Sequence, residues 1–134
     1  MPQVSNPEWA KNPIDAFILS KLNKNGLEPN PSASKEELAR RAYLNITGLA
    51  PSPEQVASFV SDKSPDAWEK LVNNLLDTPQ YGEKWARHWL DVVRYAESNG
   101  FERDSNKPHI WRYRDWVIDA YNNDKPYNRF IMEQ

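Results

Sequence analysis

The segment YGEKWARHWLDVVRYAESNGFERD, from Tyr81 to Asp104, places two tryptophans, a histidine, two arginines and an aspartate within ten residues. At about 100° per residue, a helix through this segment gathers large apolar side chains on one arc and ionisable side chains on the other. The apolar arc holds Tyr81, Trp85, Trp89, Val92, Val93 and Ala96. The pattern predicts a helix from Pro79 to about Glu97 with its tryptophans in the core. Exposed tryptophans that stack on sugar rings or bases are the alternative.

Helix-start signals divide the rest of the chain into similar units. A proline directly after a small polar residue is favoured at helix starts, because the N–H that proline lacks would have no partner there. This order occurs after Asn12, Ser52, Ser64 and Thr78. Ser34 with Glu37, and Ser52 with Gln55, form capping-box patterns. The signals predict one helix before the Ser34 pattern, which ends near Gly26, and three more before the opening segment.

Apolar residues at helical spacing support each of these helices. In the first helix they are Ile14, Phe17, Ile18 and Leu22, and in the fourth, from about Pro65 to Leu76, they are Trp68, Leu71, Val72, Leu75 and Leu76. A sixth helix through Trp116, Val117 and Ala120 and a last one through Phe130 and Ile131 follow a polar loop from Ser98 to Pro108. No strand pattern persists. We expect an all-α fold, a single domain over residues 1–134 built as an orthogonal array of about six or seven short-to-medium helices.

Composition excludes several classes of function. The 134 residues carry 17 basic and 19 acidic side chains, a net charge of −2, so no basic footprint for nucleic acid is present. The absence of cysteine excludes disulfides, zinc–thiolate sites and covalently attached c-type haem within the chain. No apolar run is long enough for a membrane span, and the first residues lack signal-peptide character. The chain is therefore either cytoplasmic or a domain of a longer exported protein.

The ionisable arc of the opening helix allows two interpretations. His88, Asp91 and Arg94 lie one turn apart, so His88 is a candidate general base oriented by Asp91, with Arg94 binding an anionic group. Adjacent helical turns also bring such residues together as a purely structural network, and no serine or cysteine motif completes a catalytic set. We treat the three residues as catalytic candidates and the network as the plainer alternative.

A hard cation is a further alternative for the same region. His88 and Asp91 share a helical face, and the following loop offers oxygen ligands. These are Glu97, Asn99, Glu102 and Asp104. Neither an HExxH motif nor an EF-hand loop is present. We expect no metal site.

A second dense segment, HIWRYRDWVIDAY from His109 to Tyr121, interleaves aromatic with charged residues. Packing of this helix on the opening helix, with Arg–Asp pairs at the edge, is the preferred interpretation. The candidate binding residues of the two segments are Arg87, Tyr95, Glu97, Arg112 and Arg114. Arg41 and Asn45, which are one turn apart on the second helix, are expected to form a half-buried polar ladder rather than a site.

Four blocks of the chain resemble, in order, a domain of unknown function found in planctomycete and related bacterial cytochrome-linked proteins, the PSCyt-type domain that follows an N-terminal cytochrome c domain. The blocks are NPIDAFILSKL, EELARRAYLNITGLAPSPEQVASFV, YGEKWARHWLDVVRYAESNGFE and WRYRDWVIDAYNNDKPYNRFIMEQ. The family pattern is matched at Arg41, Trp85, His88, Asp91, Arg94, Tyr95, Gly100 and the run from Trp111 to Trp116. Asn45 and Glu97 stand where the family usually shows Asp, which weakens any site that needs both carboxylates.

The resemblance implies a helical module excised from a large exported protein, with haem c held by a neighbouring domain and no cofactor in this one. Its implied partners are the neighbouring domains of the same chain and carbohydrate, with no nucleic acid and no membrane span. No reaction carries over from the family. We expect a non-catalytic binding or scaffold module linked to polysaccharide use. A composite enzyme site completed by the neighbouring domain is the alternative, and a purely structural domain is the third.

Overall fold

The computed structural model describes residues 2–101 and 104–134, and these residues form seven α-helices. They are α1 (Pro13–Lys24), α2 (Lys35–Ile46), α3 (Pro53–Ser61), α4 (Ala67–Leu76), α5 (Pro79–Val92), α6 (Trp111–Asn122) and α7 (Tyr127–Met132). Within the described residues, β-type pairing is limited to an isolated antiparallel bridge between Ser98 and Asn106. The prediction of an all-α fold is confirmed.

The helix starts follow the local capping chemistry. Capping boxes form at Asn12, Ser34 and Ser52. Each of these side chains accepts a hydrogen bond from the backbone N–H three residues later, and the side chain of that later residue accepts one from the backbone N–H of the cap. Helix α4 starts two residues later than predicted, at Ala67. The reason is a turn before it, in which the backbone N–H and hydroxyl of Ser64 both donate to Oδ1 of Asp62, at 2.8 and 2.6 Å.

Helix α5 ends at Val92, well before the predicted end at Glu97. Arg94 adopts a left-handed conformation, with φ of 56°, and the N–H of Tyr95 donates to the carbonyl of Leu90 at 2.9 Å. This is the Schellman arrangement, in which a left-handed residue stops the helix and satisfies its last carbonyls. Glycine usually holds that position, as Gly26 does after α1 with φ of 64°. The helix end was missed because an arginine occupies it here.

By contacts, the chain divides into two compact units, Met1–Ala33 and Ser34–Gln134. In the first unit α1 buries Ala16 and Leu19, and the amide of Asn23 donates to Ser5 Oγ at 3.0 Å. The apolar side chains used to predict α1 are more exposed, at 69% for Ile14, 63% for Phe17 and 47% for Ile18. The prediction of a single domain over residues 1–134 stays a prediction.

The second unit contains two apolar clusters, one on α2–α4 and one on α5–α7. Ala39, Phe59 and Ala67 form the first, with Leu38, Val56 and Leu71 packed against it. Ala86, Val117, Ala120 and Phe130 form the second, with Trp89, Leu90, Tyr113, Trp116, Ile118 and Tyr121 packed against it. The predicted packing of the His109–Tyr121 segment on α5 is confirmed, since α5 and α6 make the most extensive helix contact in the described residues.

The buried face of α5 differs from the predicted arc. Its fully buried residues are small, Gly82 and Ala86, while Trp85 is 38% exposed and Val92 72% exposed. Small side chains let two helix backbones approach closely, so the contact with α6 centres on them rather than on the largest apolar residues. Trp89 does pack on the core cluster, and its indole N–H donates to the hydroxyl of Tyr113 at 3.0 Å.

Two α5 side chains reach the carboxyl end of α2. Lys84 Nζ donates to the carbonyl of Leu44 at 2.7 Å and also to that of Asn45. The indole N–H of Trp85 donates to the carbonyl of Ile46 at 3.2 Å. The last carbonyls of a helix have no partner within it, so these bonds satisfy the carboxyl end of α2 and hold Trp85 against it.

Candidate functional site

The three catalytic candidates lie on or just beyond the last turns of α5. His88, Asp91 and Arg94 are all exposed, and the ring of His88 lies 5.4 Å from that of Trp85. Among the described residues, no hydrogen bond or ion pair engages the side chains of His88 or Asp91. The structural network expected around Asp91 is therefore not formed here. Arg94 leaves the helical face altogether, because its left-handed backbone follows the helix end.

Four other charged or phenolic residues meet between the end of α5 and the start of α6. Arg114 pairs with Glu97 at 3.4 Å and with Asp115 at 2.9 Å, and the hydroxyl of Tyr95 donates to the same Glu97 oxygen at 3.4 Å. Three of the five predicted binding residues, Tyr95, Glu97 and Arg114, are thus brought together. Asp115 supplies the Arg–Asp pair that was expected at the helix edge.

Electrostatics within this cluster favour its ion pairs. Burial, and to a lesser extent the charge of Glu97, raise the pKa of the Tyr95 phenol. The hydrogen bond to Asp115 raises the pKa of the Arg114 guanidinium. The contacts of Arg114 and Tyr95 with Glu97 hold the loop after α5 against α6, and they leave these groups largely satisfied by one another.

The loop that joins α5 to α6 is closed at its base. The N–H of Lys107 donates to the carbonyl of Glu97 at 2.8 Å, and the backbone and side chain of Asn99 both bond to Ser105. Phe101 is fully exposed beyond this closure. Of the cation ligands considered for this region, Glu102 lies outside the described residues. Within the described part of the chain, no three His, Cys, Asp or Glu side chains are grouped as a metal site requires.

The remaining predicted residues lie apart on the surface. Arg87 is exposed on α5, and the guanidinium of Arg112 lies 5.7 Å from the ring of Trp111. Arg41 and Asn45 are both exposed. The half-buried polar ladder predicted for that pair is wrong, since α2 turns its alanines inward instead.

A cavity of the second unit lies elsewhere, between α2, α3, α4 and the start of α5. It has a volume of about 720 Å³, within the range of roughly 300–1,000 Å³ found for ligand pockets. Tyr43, Phe59, Leu71 and Leu75 supply its apolar surface. We call this cavity the polar cleft because of the polar and charged side chains that also line it: Thr47, Glu54, Gln55, Ser58, Asp62, Lys70, Asn74, Thr78 and Gln80.

Several polar groups of the polar cleft are free to bind a ligand. Within the described residues, the side-chain amides of Asn74 and Gln80 and the hydroxyl of Tyr43 make no hydrogen bond to protein. Asp62 uses Oδ1 for Ser64, and those two bonds lower the pKa of its carboxyl. The polar cleft therefore combines neutral donors and acceptors with the carboxylates of Glu54 and Asp62 and the ammonium group of Lys70.

Comparison with models of protein families covers nearly the whole chain. The family model PSCyt2, described as a protein of unknown function (DUF1549), matches residues 13–134. The chain belongs to the PSCyt2 family. This confirms the resemblance, and the PSCyt2 match begins at the first residue of α1 and takes in all seven helices of the described residues. Comparison with curated proteins gives no match, and neither does comparison with solved structures.

Sequence reasoning did not single out the polar cleft of this PSCyt2 chain. Tyr43, Asn74 and Gln80 come from separate elements, and the two amides lie outside the blocks that resemble the family. Isolated amides on helices are typical of solvated surface, so no signal in the sequence marks them.

A separate finding concerns membranes: none of the helices in the described residues has the length and apolar character needed to cross a bilayer.

Proposed function

We propose that this PSCyt2 chain is a non-catalytic binding module of a larger, exported, cytochrome-linked protein, and that its polar cleft binds carbohydrate. The observation that carries the proposal is the lining of the polar cleft, where unengaged amides and a phenol surround an apolar floor. Sugars present hydroxyl groups at their edges and C–H groups on their ring faces. A site with side-chain amides beside aromatic and aliphatic surface suits both.

Different side chains of the polar cleft suit the hydroxyl groups and the ring faces of a sugar. Asn74 and Gln80 each offer a donor and an acceptor, which matches a hydroxyl that both gives and takes a hydrogen bond. The ring of Phe59, which is 7% exposed, lies in the apolar part together with Tyr43. Asp62 adds a charged acceptor, and hydrogen bonds to charged groups are stronger than neutral ones.

The context of the proposal comes from the family resemblance. A PSCyt-type domain stands beside a cytochrome c domain in large exported proteins, so haem c belongs to a neighbouring domain and the neighbouring domains are the first partners. The module would then hold a polysaccharide near the domains that act on it.

Isothermal titration of the chain with cello-, xylo- and chito-oligosaccharides tests the proposal. We expect at least one series to bind, and we expect Asn74→Ala to weaken that binding by about tenfold, the effect of losing one well-placed hydrogen bond. Asn73→Ala is the matched control, because Asn73 is the neighbouring asparagine of α4 and does not line the polar cleft. No heat with any glycan, or equal affinities for the two variants, would contradict it.

A composite enzyme site is the second candidate. It is favoured by the exposure of His88, Asp91 and Arg94 together at the end of α5, where a neighbouring domain has access to all three. In the full-length protein, His88→Ala should then abolish turnover while the fold persists. Unchanged turnover would remove this candidate.

A further inference from the structure

A second, smaller pocket lies where the start of α5, the end of α6 and the start of α7 meet. Its volume is about 210 Å³, and its walls include three tyrosines, Tyr81, Tyr121 and Tyr127, together with Phe130. We call it the tyrosine pocket. It shares no residue with the polar cleft, so nothing in the proposed function depends on it.

Aromatic rings approach the tyrosine pocket from three helices. Phe130 is 5% exposed and meets Tyr121 edge to face, with ring centroids 6.1 Å apart. Tyr127 is 70% exposed and stands at the rim. Burial raises the pKa of Tyr121, and the neighbouring phenols of Tyr81 and Tyr127 add to that rise, as expected if the three phenols share one space.

The charges around the tyrosine pocket favour a cation. Asp124 lines it, and among the described residues its carboxylate has no ion-pair partner. Lys125 also lines it, but its ammonium is paired with Glu133 and lies 5.0 Å from the centroid of the Trp116 ring. The pocket also lies at the carboxyl end of α6, where the helix dipole favours positive charge. An unpaired carboxylate and a negative helix end thus border a small aromatic space.

We propose that the tyrosine pocket binds a small quaternary ammonium group. Such a group is attracted to the faces of aromatic rings within about 6 Å, and it lacks the N–H groups that would keep a primary ammonium in water. A trimethylammonium group fits a volume of this size. Asp124 would supply the counter-charge from one side, and the rings would surround the methyl groups.

Choline and its neutral isostere 3,3-dimethyl-1-butanol separate this proposal from simple apolar binding, because the two have the same shape and differ in charge. In NMR titrations of the chain, choline should shift the resonances of Tyr81, Tyr121 and Tyr127 and bind about tenfold more tightly than the isostere. Equal binding of both compounds, or no shift with choline, would overturn the proposal. Phosphatidylcholine vesicles then distinguish a lipid headgroup from a free solute as the source of the cation, and either source is consistent with the site.

Variants at the rim test the roles of ring and charge without disturbing the core. Tyr127→Ala should weaken choline binding by about tenfold, and Tyr127→Phe, which keeps the ring, should retain it. Asp124→Asn suits the left-handed backbone at that position and should weaken binding several-fold. Met132→Ala is the control, since Met132 is an exposed residue of α7 outside the pocket. Loss of binding in Tyr127→Phe equal to that in Tyr127→Ala would contradict the cation–ring interaction.

Discussion

The side-chain oxygen of Asn122 accepts a hydrogen bond from the backbone N–H of Gly82 at 2.8 Å. The same asparagine donates to the carbonyl of Pro79 at 3.3 Å, so the last residue of α6 is fixed to the first turn of α5. A Cβ atom on Gly82 would lie 2.5 Å from Cγ of Asn122. The glycine is therefore what lets the asparagine reach the α5 backbone.

We predict that Gly82→Ala lowers the free energy of unfolding by about 1–2 kcal/mol. The added methyl group displaces Asn122 from its hydrogen bonds, each worth on the order of 1 kcal/mol, and this outweighs the better helix propensity of alanine. Urea denaturation followed by circular dichroism measures the change.

The double variant reverses the sign of this effect. Once Asn122→Ala has removed the obstructing side chain, Gly82→Ala should raise stability by up to about 1 kcal/mol, because only the helix propensity remains. A stabilising effect of Gly82→Ala in the otherwise unchanged chain would show that Asn122 moves aside at no cost.

Arg94→Gly should stabilise the chain by about 0.5–1 kcal/mol. The left-handed conformation costs a residue with a Cβ atom about 1–2 kcal/mol. Glycine avoids that cost, but its unfolded chain has more conformational entropy, and this offsets part of the gain in stability. The comparison is Arg87→Gly, an exposed arginine in the middle of the same helix, which should destabilise by about 1 kcal/mol. Two destabilising substitutions would mean that the side chain of Arg94 contributes contacts of its own.

Asp62 should make stability fall in acid. Its hydrogen bonds from Ser64, and secondarily the charges of Lys70 and Lys35, lower the carboxyl pKa in the folded state. The stabilisation is therefore complete above the unfolded pKa, near pH 4, and is lost as the pH falls through the folded value. Ser64→Ala removes the hydroxyl, which also lowers the pKa of Asp66, but keeps the N–H that donates to Asp62. It should therefore partly flatten the plot of unfolding free energy against pH between about pH 4 and 2. Ser61→Ala is the control and should leave that slope unchanged, because the hydroxyl of Ser61 donates to the backbone carbonyl of Ser58.

His88→Ala and Asp91→Ala should each change stability by less than about 0.5 kcal/mol, the usual range for exposed residues. Both side chains are exposed, and a structural network around Asp91 would instead cost about 1–3 kcal/mol on truncation. Thermal unfolding of the two variants distinguishes these outcomes. A loss of the larger size would restore the network hypothesis.

Local chemistry made much of the fold predictable. Asn12, Ser34 and Ser52 start helices through contacts within three residues, so their patterns are visible in the sequence. The end of α5 is not visible in the sequence, because the left-handed residue that ends the helix is Arg94 rather than a glycine. The orientation of α5 was also missed, since contact with α6 depends on Gly82 and Ala86, whose small size carries no hydrophobic signal.

The candidate sites depended on tertiary placement to a greater degree. Tyr95, Glu97 and Arg114 were named from the sequence, and the fold does bring them together. The amides of Asn74 and Gln80 and the rings of Tyr81 and Tyr127 share their cavities only because separate helices converge. The spacing of these residues along the sequence does not predict that their helices converge.

Lys84 and Trp85 join the α5–α7 cluster to the carboxyl end of α2 through hydrogen bonds to backbone carbonyls. A few hydrogen bonds couple the unfolding of two clusters less strongly than a shared apolar core does. We therefore expect the two clusters of the second unit to unfold locally as separate foldons. Amide protons of α6 would then stay protected while those of α3 exchange with solvent. Local opening on the α2–α4 side would give a ligand a route into the polar cleft without unfolding of the tryptophan-rich half.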